Sequence, residues 1–247
     1  MIVLGIDTAT SLVSVALVDG EKVLASSESL AERRHAEDLT PMLDFVVRTA
    51  GIAFTEIDAI AVDVGPGQFT GMRVGIAAAQ ALAHVLAVPL IGIDGLDALV
   101  ATVPPTGGAS HDIVVPTIDA RRGEVAWAIH RRRENHRAVR VDPPTIGTME
   151  DLTVAIRERA QSCLFIGGYA LDHRAEIRDA LGPQSWEPSF GEASTAHPHA
   201  RSIALLAHER LLHDEQDGTV GSLPPRAEAL YLREADADIN WPTRNTV

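Results

Sequence analysis

The sequence predicts an α/β protein of two lobes, each built on a β-β-β-α-β-α core. Three observations carry that prediction. The stretch from Asp58 to Asp97 reads as strand, glycine-rich turn, long helix, strand, and a unit of that length implies a right-handed parallel crossover. An antiparallel meander of apolar strands precedes it. The chain then repeats itself: Ile6-Asp7 and Ile118-Asp119 each close an apolar run, and an alternating strand begins six residues later, at Val13 and Val125. The copies stand 112 residues apart without a gap, as two lobes of related topology would.

The elements follow in order. Ile2 to Ile6 is an apolar strand, ended by the hydroxyl-rich turn Asp7 to Ser11. Leu12 to Val18 and Lys22 to Ser27 pair through Asp19-Gly20, a strong hairpin dipeptide. Ala31 to Ala50 is a helix, because Leu39, Met42, Leu43, Val46, Val47 and Ala50 recur at the spacing of one buried face. Pro41 should kink or break it, and Gly51 closes it. Ile57 to Val64 is a buried strand stopped by Gly65-Pro66-Gly67. Thr70 is the expected cap of a proline-free, alanine-rich helix from Gly71 to Ala87. Leu90 to Ile93 is the next strand.

Residues 103–112 are rich in proline and glycine, and the lobe boundary is placed there. The domains are therefore 1–104, 105–215 and a C-terminal segment, 216–247. In the second lobe, Ile113 to Ile118 and Glu124 to Ile129 are strands. Met149 to Gln161 is a helix, Cys163 to Ile166 a strand and Gly167-Gly168 a turn. Leu171 to Leu181 is a helix, and another runs from His199 or Ala200 to Leu212. Ala227 to Arg233 is a short final element before a loose tail.

Composition narrows the function. Apolar residues make up 46% of the chain and are spread throughout, which argues against disorder. No apolar run reaches the roughly 20 residues of a membrane span. MIVLGIDTAT enters directly into a strand without a basic leader, so no signal peptide is expected. The single Cys163 lies in an apolar strand, and the cytoplasm is the expected location. A net charge of −13 repels phosphate backbones. The exception is 121–140, with seven arginines against two acids, read as a hairpin with a solvated basic loop or as a contact to RNA or an acidic partner.

The candidate chemistry is sparse. Asp7 and Asp119, at the ends of the paired opening strands, either activate a hydroxyl or metal-bound water or hydrogen-bond their own turns. The turn after Asp7 lacks the glycine that lets backbone N–H groups close on a phosphate. Gly65-Pro66-Gly67 is not followed by Gly-Lys-Ser/Thr, so it is not a P-loop. The ten histidines contain no HxxxH or HExxH pair, and no metal site is expected. On the second helix, Gly71, Gly75, Ala79 and Ala83 form one stripe of minimal side chains, beside Val74, Ala78, Leu82 and Val85. The small stripe either packs on the protein's own sheet or receives another helix.

Four separated segments, VLGIDTAT, GPGQFTGMRVG, DARRGEV and YLREADA, occur in order along almost the whole chain. With them the sequence resembles the bacterial TsaB (YeaZ) family. The resemblance implies the two-lobed actin/sugar-kinase/Hsp70-like (ASKHA) ATPase fold. It also implies a non-catalytic partner of TsaD, acting with TsaE in tRNA N6-threonylcarbamoyladenosine synthesis at position 37. The catalytic paralogue's metal-binding histidines match Gly95 and Leu99 here, which cannot ligate a metal through their side chains. The implied interface with TsaD, or with a second copy when the chain is alone, comprises His35, Leu39, Met42, Leu43, Val46, Thr70, Gly71, Arg73, Val74, Gly75, Ala78, Ala79 and Leu82. On this resemblance the small stripe is a docking face. A vestigial nucleotide cleft would involve Asp7, Thr8, Thr10, Gly65, Gly67, Asp119, Gly167 and Gly168. No cofactor is expected to bind tightly, only weak ATP or ADP, and tRNA is met through the complex. Asp63 is a charge where the family suggests a neutral residue, and it has no assigned role. The alternative is an independent small-molecule kinase or ATPase of the same fold, using Asp7 or Asp119.

Overall fold

The computed structural model describes residues 1–30, 34–103, 111–132, 138–157, 159 and 162–216. The first lobe contains β1 (Ile2–Asp7), β2 (Leu12–Asp19), β3 (Lys22–Leu30), α1 (His35–Ala50), β4 (Ala59–Asp63), α2 (Phe69–Leu86), β5 (Leu90–Ile93) and α3 (Gly95–Val100). The second contains β6 (Ile113–Arg121), β7 (Glu124–Arg132), β8 (Ala138–Gly147), α4 (Met149–Arg157), β9 (Cys163–Ile166), α5 (Gly168–Asp172), α6 (Arg174–Leu181) and β10 (Ser189–Phe190). α7 (Ala200–Gln216) follows.

The repeat is exact in topology. The first sheet has the order β3-β2-β1-β4-β5, and the second has β10-β9-β6-β7-β8, the same order read in reverse. In each, the first strand pairs antiparallel with the second and parallel with the fourth. β8 completes the second copy. Its alternation of half-buried and exposed residues left no apolar run for the sequence to show.

α1 and α2 cover one face of the first sheet, where Leu39, Met42, Leu43, Val46, Met72, Ile76 and Ala79 join one core with Leu4, Ile6, Val13 and Val15. α7 covers the other face through Ile203, Ala204, Ala207 and Leu211. Its first turn presses on β1 so closely that a Cβ on Gly5 would collide with the Ala200 carbonyl. α3 leaves the first lobe and packs on β6, with Leu96 and Leu99 against Val114 and Ile118.

Several boundaries differ from expectation. α1 runs unbroken through Pro41. Pro41 and Glu37 are both exposed, so the carbonyl that loses its donor faces solvent. Thr70 does not cap α2. The cap position is Gln68, without a side-chain bond, and Phe69 is the first helical residue. The helix expected over 171–181 is two, α5 and α6, parted at His173. Ala227 to Arg233 and the tail lie outside the described residues, as do 104–110 within the boundary segment.

Candidate functional site

The expected cleft residues of the first lobe converge at the carboxyl ends of β1 and β4. The parallel register sets Ile6 beside Val62, so the next residues, Asp7 and Asp63, stand side by side. Both are buried, at 0% and 1% exposure. Asp7 Oδ1 accepts from the Ala9 N–H (2.8 Å) and Asp63 Oδ1 from the Gly65 N–H (2.6 Å). The Oδ2 of each is buried without a partner among the described residues. Burial drives both carboxyls up, Asp7 to about 7 and Asp63 well above the usual range, where the Asp7 charge adds to the effect of burial. The sequence alone assigns Asp63 no role, because only the strand register pairs it with Asp7.

The surrounding turns are closed on themselves. The Thr8 hydroxyl donates to the Gly71 carbonyl (2.8 Å). A Cβ on Gly71 would strike the Thr8 carbonyl, one on Gly75 the Thr8 hydroxyl, and one on Gly67 the Ala9 carbonyl. The Gln68 N–H donates to the Ala9 carbonyl (2.6 Å). The Thr10 hydroxyl accepts from the Leu12 N–H (3.3 Å), and the Thr10 carbonyl accepts from His35 Nε2 (2.7 Å). The glycines of α2 therefore serve close approach to the protein's own β1 turn.

This corrects the reading of the small stripe as a docking face. Gly71, Gly75, Ala79 and Ala83 are buried against the lobe itself, as are His35, Leu39, Met42, Leu43 and Val46. The outward surface of α1 and α2 is a different set. Phe45 is 51% exposed, Phe69 52% and Val85 78%. Thr70 and Arg73 are exposed, while Val74, Ala78 and Leu82 are half-buried. The Arg73 guanidinium lies 3.7 Å from the centre of the Phe69 ring, an arrangement that keeps both groups at the surface.

The second-lobe residues are equally self-contained. Asp119 is exposed, accepts from the Arg121 N–H (2.8 Å) and pairs with the Arg121 guanidinium (3.3 Å). It closes a tight turn in which Arg121, Arg122 and Gly123 all have positive φ. The N–H groups of Gly167 and Gly168 donate to the carbonyls of Thr195 (2.9 Å) and Ala196 (2.7 Å). Gly167, at φ +95°, lies where a Cβ would strike the Thr117 carbonyl.

One ionic cluster joins the lobes. Arg140 of β8 reaches Asp94 Oδ2 and Asp97 Oδ1, each at 2.7 Å, and His130 Nε2 lies 2.7 Å from the same Asp97 oxygen. Asp94 also caps α3, accepting from the Leu96 N–H (2.8 Å). Burial works to raise Asp97, but the His130 hydrogen bond and the Arg140 charge outweigh it and hold the carboxyl below its usual range. The cluster borders a cavity of about 1010 Å³ between α3, α7 and the second sheet. Gly95 and Leu99 on the same helix are buried. Among the described residues no three His, Cys, Asp or Glu side chains group closely enough to hold a metal ion. Within the arginine-rich stretch, Arg140 thus ties the lobes together while Arg121 pairs with Asp119 in its own turn; Arg133 and Arg137 lie outside the described residues.

The family described as "TsaD: tRNA N6-adenosine threonylcarbamoyltransferase" matches residues 24–168. Among curated relatives, the tRNA threonylcarbamoyladenosine biosynthesis protein TsaB of Bacillus subtilis is 27% identical over 98% of both chains. That of Escherichia coli is 42% identical over 55% of this chain and 57% of its own. YeaZ from Pseudomonas aeruginosa superposes with a TM-score of 0.73 at 29% identity, covering 87% of this chain and 93% of its own. The chain belongs to the TsaB (YeaZ) family. A hexokinase of the ROK type from Thermus thermophilus, at 15% identity and a TM-score of 0.50, shares the two-lobed ASKHA-like fold. In this TsaB-family chain the turns at the ends of β1, β4 and β9 give their N–H groups to the chain's own carboxylates and carbonyls. No described helix is long and apolar enough to cross a membrane.

Proposed function

We propose that the chain is a non-catalytic activator subunit in tRNA N6-threonylcarbamoyladenosine synthesis, pairing with a TsaD-type transferase and supporting the docking of TsaE. The observation that carries this reading is the closure of the would-be phosphate turns. Gly67, Gly71 and Gly75 are filled by Thr8 and Ala9, and the Gly167 and Gly168 N–H groups are engaged by Thr195 and Ala196. A nucleotide would have to displace these contacts, so ATP or ADP binds weakly at most.

The exposed surface of α1 and α2, with Phe45, Phe69, Val74, Ala78, Leu82 and Val85, is the docking face for TsaD and, in the chain alone, for a second copy. The net charge of −13 leaves tRNA binding to the complex. Depletion in the source organism followed by nucleoside analysis of tRNA tests the reading. Loss of threonylcarbamoyladenosine, restored by the wild-type chain, is expected. Unchanged modification, or efficient ATP turnover by the isolated chain, overturns it in favour of an independent kinase or ATPase.

A further inference from the structure

The side-by-side carboxyls of Asp7 and Asp63 have no role in the proposed docking, yet two fully buried acids in contact need a physical reason. Each has one oxygen bonded to a backbone N–H, and the remaining Oδ2 of each is buried without a donor among the described residues. With both ionised, two like charges would meet away from water, with desolvation and repulsion acting together. With both protonated, the N–H bonds to Ala9 and Gly65 would lose the charge that strengthens them. The state between, one acid donating to one carboxylate, satisfies every contact.

We propose that Asp7 and Asp63 share a single proton, and that this acid–carboxylate pair pins the Asp7–Thr10 turn to the Gly65–Gly67 turn and so fixes the base of α2. Its effect on partner pairing rests on the docking role proposed above; the pin itself does not. The register of β1 and β4 brings the two residues together. Gly95 closes over them: a Cβ there would stand 2.7 Å from Asp63 Oδ2, and its N–H donates to the Gly65 carbonyl (2.8 Å).

The charged groups around the pair reinforce it. Glu28 of β3 and Asp94 at the start of α3 add negative charge toward Asp7 and Asp63 respectively. Each has its own partner turned elsewhere, His199 for Glu28 (2.7 Å) and the Arg140 guanidinium for Asp94 (2.7 Å). From α1, His35 meets the Thr10 carbonyl (2.7 Å) rather than the carboxyls. As pH rises, the shared proton passes to solvent hydroxide, and two carboxylates are left facing each other.

The folded carboxyl pKa values lie above the unfolded value of 3.8. The pair therefore favours the fold most below that value; its first proton leaves as pH rises through about 7, which leaves the shared one, and the pin is lost as that second proton is released at higher pH. Asp63→Asn keeps a donor at every pH, because its amide N–H can serve the Asp7 carboxylate.

The test is melting temperature against pH for wild type and Asp63→Asn, with infrared spectra of both at neutral pH. The wild type is expected to lose several degrees relative to Asp63→Asn between about pH 6 and pH 9. It should also show a protonated-carboxyl carbonyl band that the variant lacks. Parallel melting curves, or no such band in the wild type, overturn the pin. If Asp63→Asn does not fold, Asp7→Asn carries the same donor from the other side and replaces it.

Co-purification with a TsaD-type partner over the same range tests the link to α2. Pairing that weakens with pH in the wild type but not in the variant supports it. Pairing that stays constant in both overturns it, and a variant that never pairs although it melts like the wild type at acidic pH counts against the docking role rather than the pin.

Discussion

The Arg140 guanidinium lies 2.7 Å from Asp94 Oδ2, tying a strand of the second lobe to the residue that caps α3 as it leaves the first. Asp97 shares the same guanidinium, so removing Arg140 strands two partly buried carboxylates. Arg140→Gln is expected to lower unfolding free energy by about 2 kcal/mol, below the figure for a fully buried pair because Asp97 is 40% exposed. Denaturant titration measures it. Lysine should rescue only partly, since one ammonium cannot span both acids as the fork does.

The acid limb follows the same cluster. Asp97 is held below its usual 3.8, so its contribution is present above that value and is lost as pH falls through the lower folded value. Without Arg140 the carboxyl rises and acid unfolding begins at higher pH. An acid melt of Arg140→Gln that overlays the wild type, apart from a constant offset, would argue that Asp97 owes its charge to His130 alone.

The two stripes of α2 separate stability from docking. Gly75→Ala places a methyl group on the Thr8 hydroxyl, and overpacking of this kind costs about 1–3 kcal/mol. The melting temperature should drop, and any loss of pairing should follow from that drop. Phe45→Asp and Val85→Asp alter exposed positions and should change stability by no more than about 0.5 kcal/mol. They are expected to abolish co-purification with a TsaD-type partner while the fold persists. Retained pairing in both would move the interface elsewhere.

Asp119→Ala discriminates the activator from the kinase. The side chain accepts one backbone bond and one exposed ion pair, so its loss costs about 1 kcal/mol. Threonylcarbamoyladenosine levels in a complemented depletion strain should stay at wild type. A phosphotransferase relying on this carboxylate would lose its activity outright.

The fold was legible because its carriers are local. Apolar runs, Gly-rich turns and the spacing between Asp7 and Asp119 mark both lobes, and the matched sheet orders follow from that repeat. The site was not, because its partners are distant in sequence. Asp7 meets Asp63 through strand register, and Arg140 meets Asp94 across the lobes. The stripe of Gly71, Gly75 and Ala79 announced a close approach correctly, but periodicity cannot say what approaches. The residue that does is Thr8, on the protein's own β1 turn.

Ser14 supplies a last measurable contact. Its hydroxyl accepts from the Ala200 N–H at 2.8 Å across 186 residues of chain, at a buried site. It thereby satisfies a first-turn donor of α7 that has no acceptor one turn earlier within the helix. Ser14→Ala leaves that N–H buried and unpaired, and a loss of about 1–2 kcal/mol is expected. The readout that assigns the loss to this bond is hydrogen exchange: the Ala200 amide should exchange faster while the amides of β4 and β5 keep their protection. Uniform acceleration across the first lobe would mean instead that Ser14 matters through core packing, and the bridge from β2 to α7 would lose its special place.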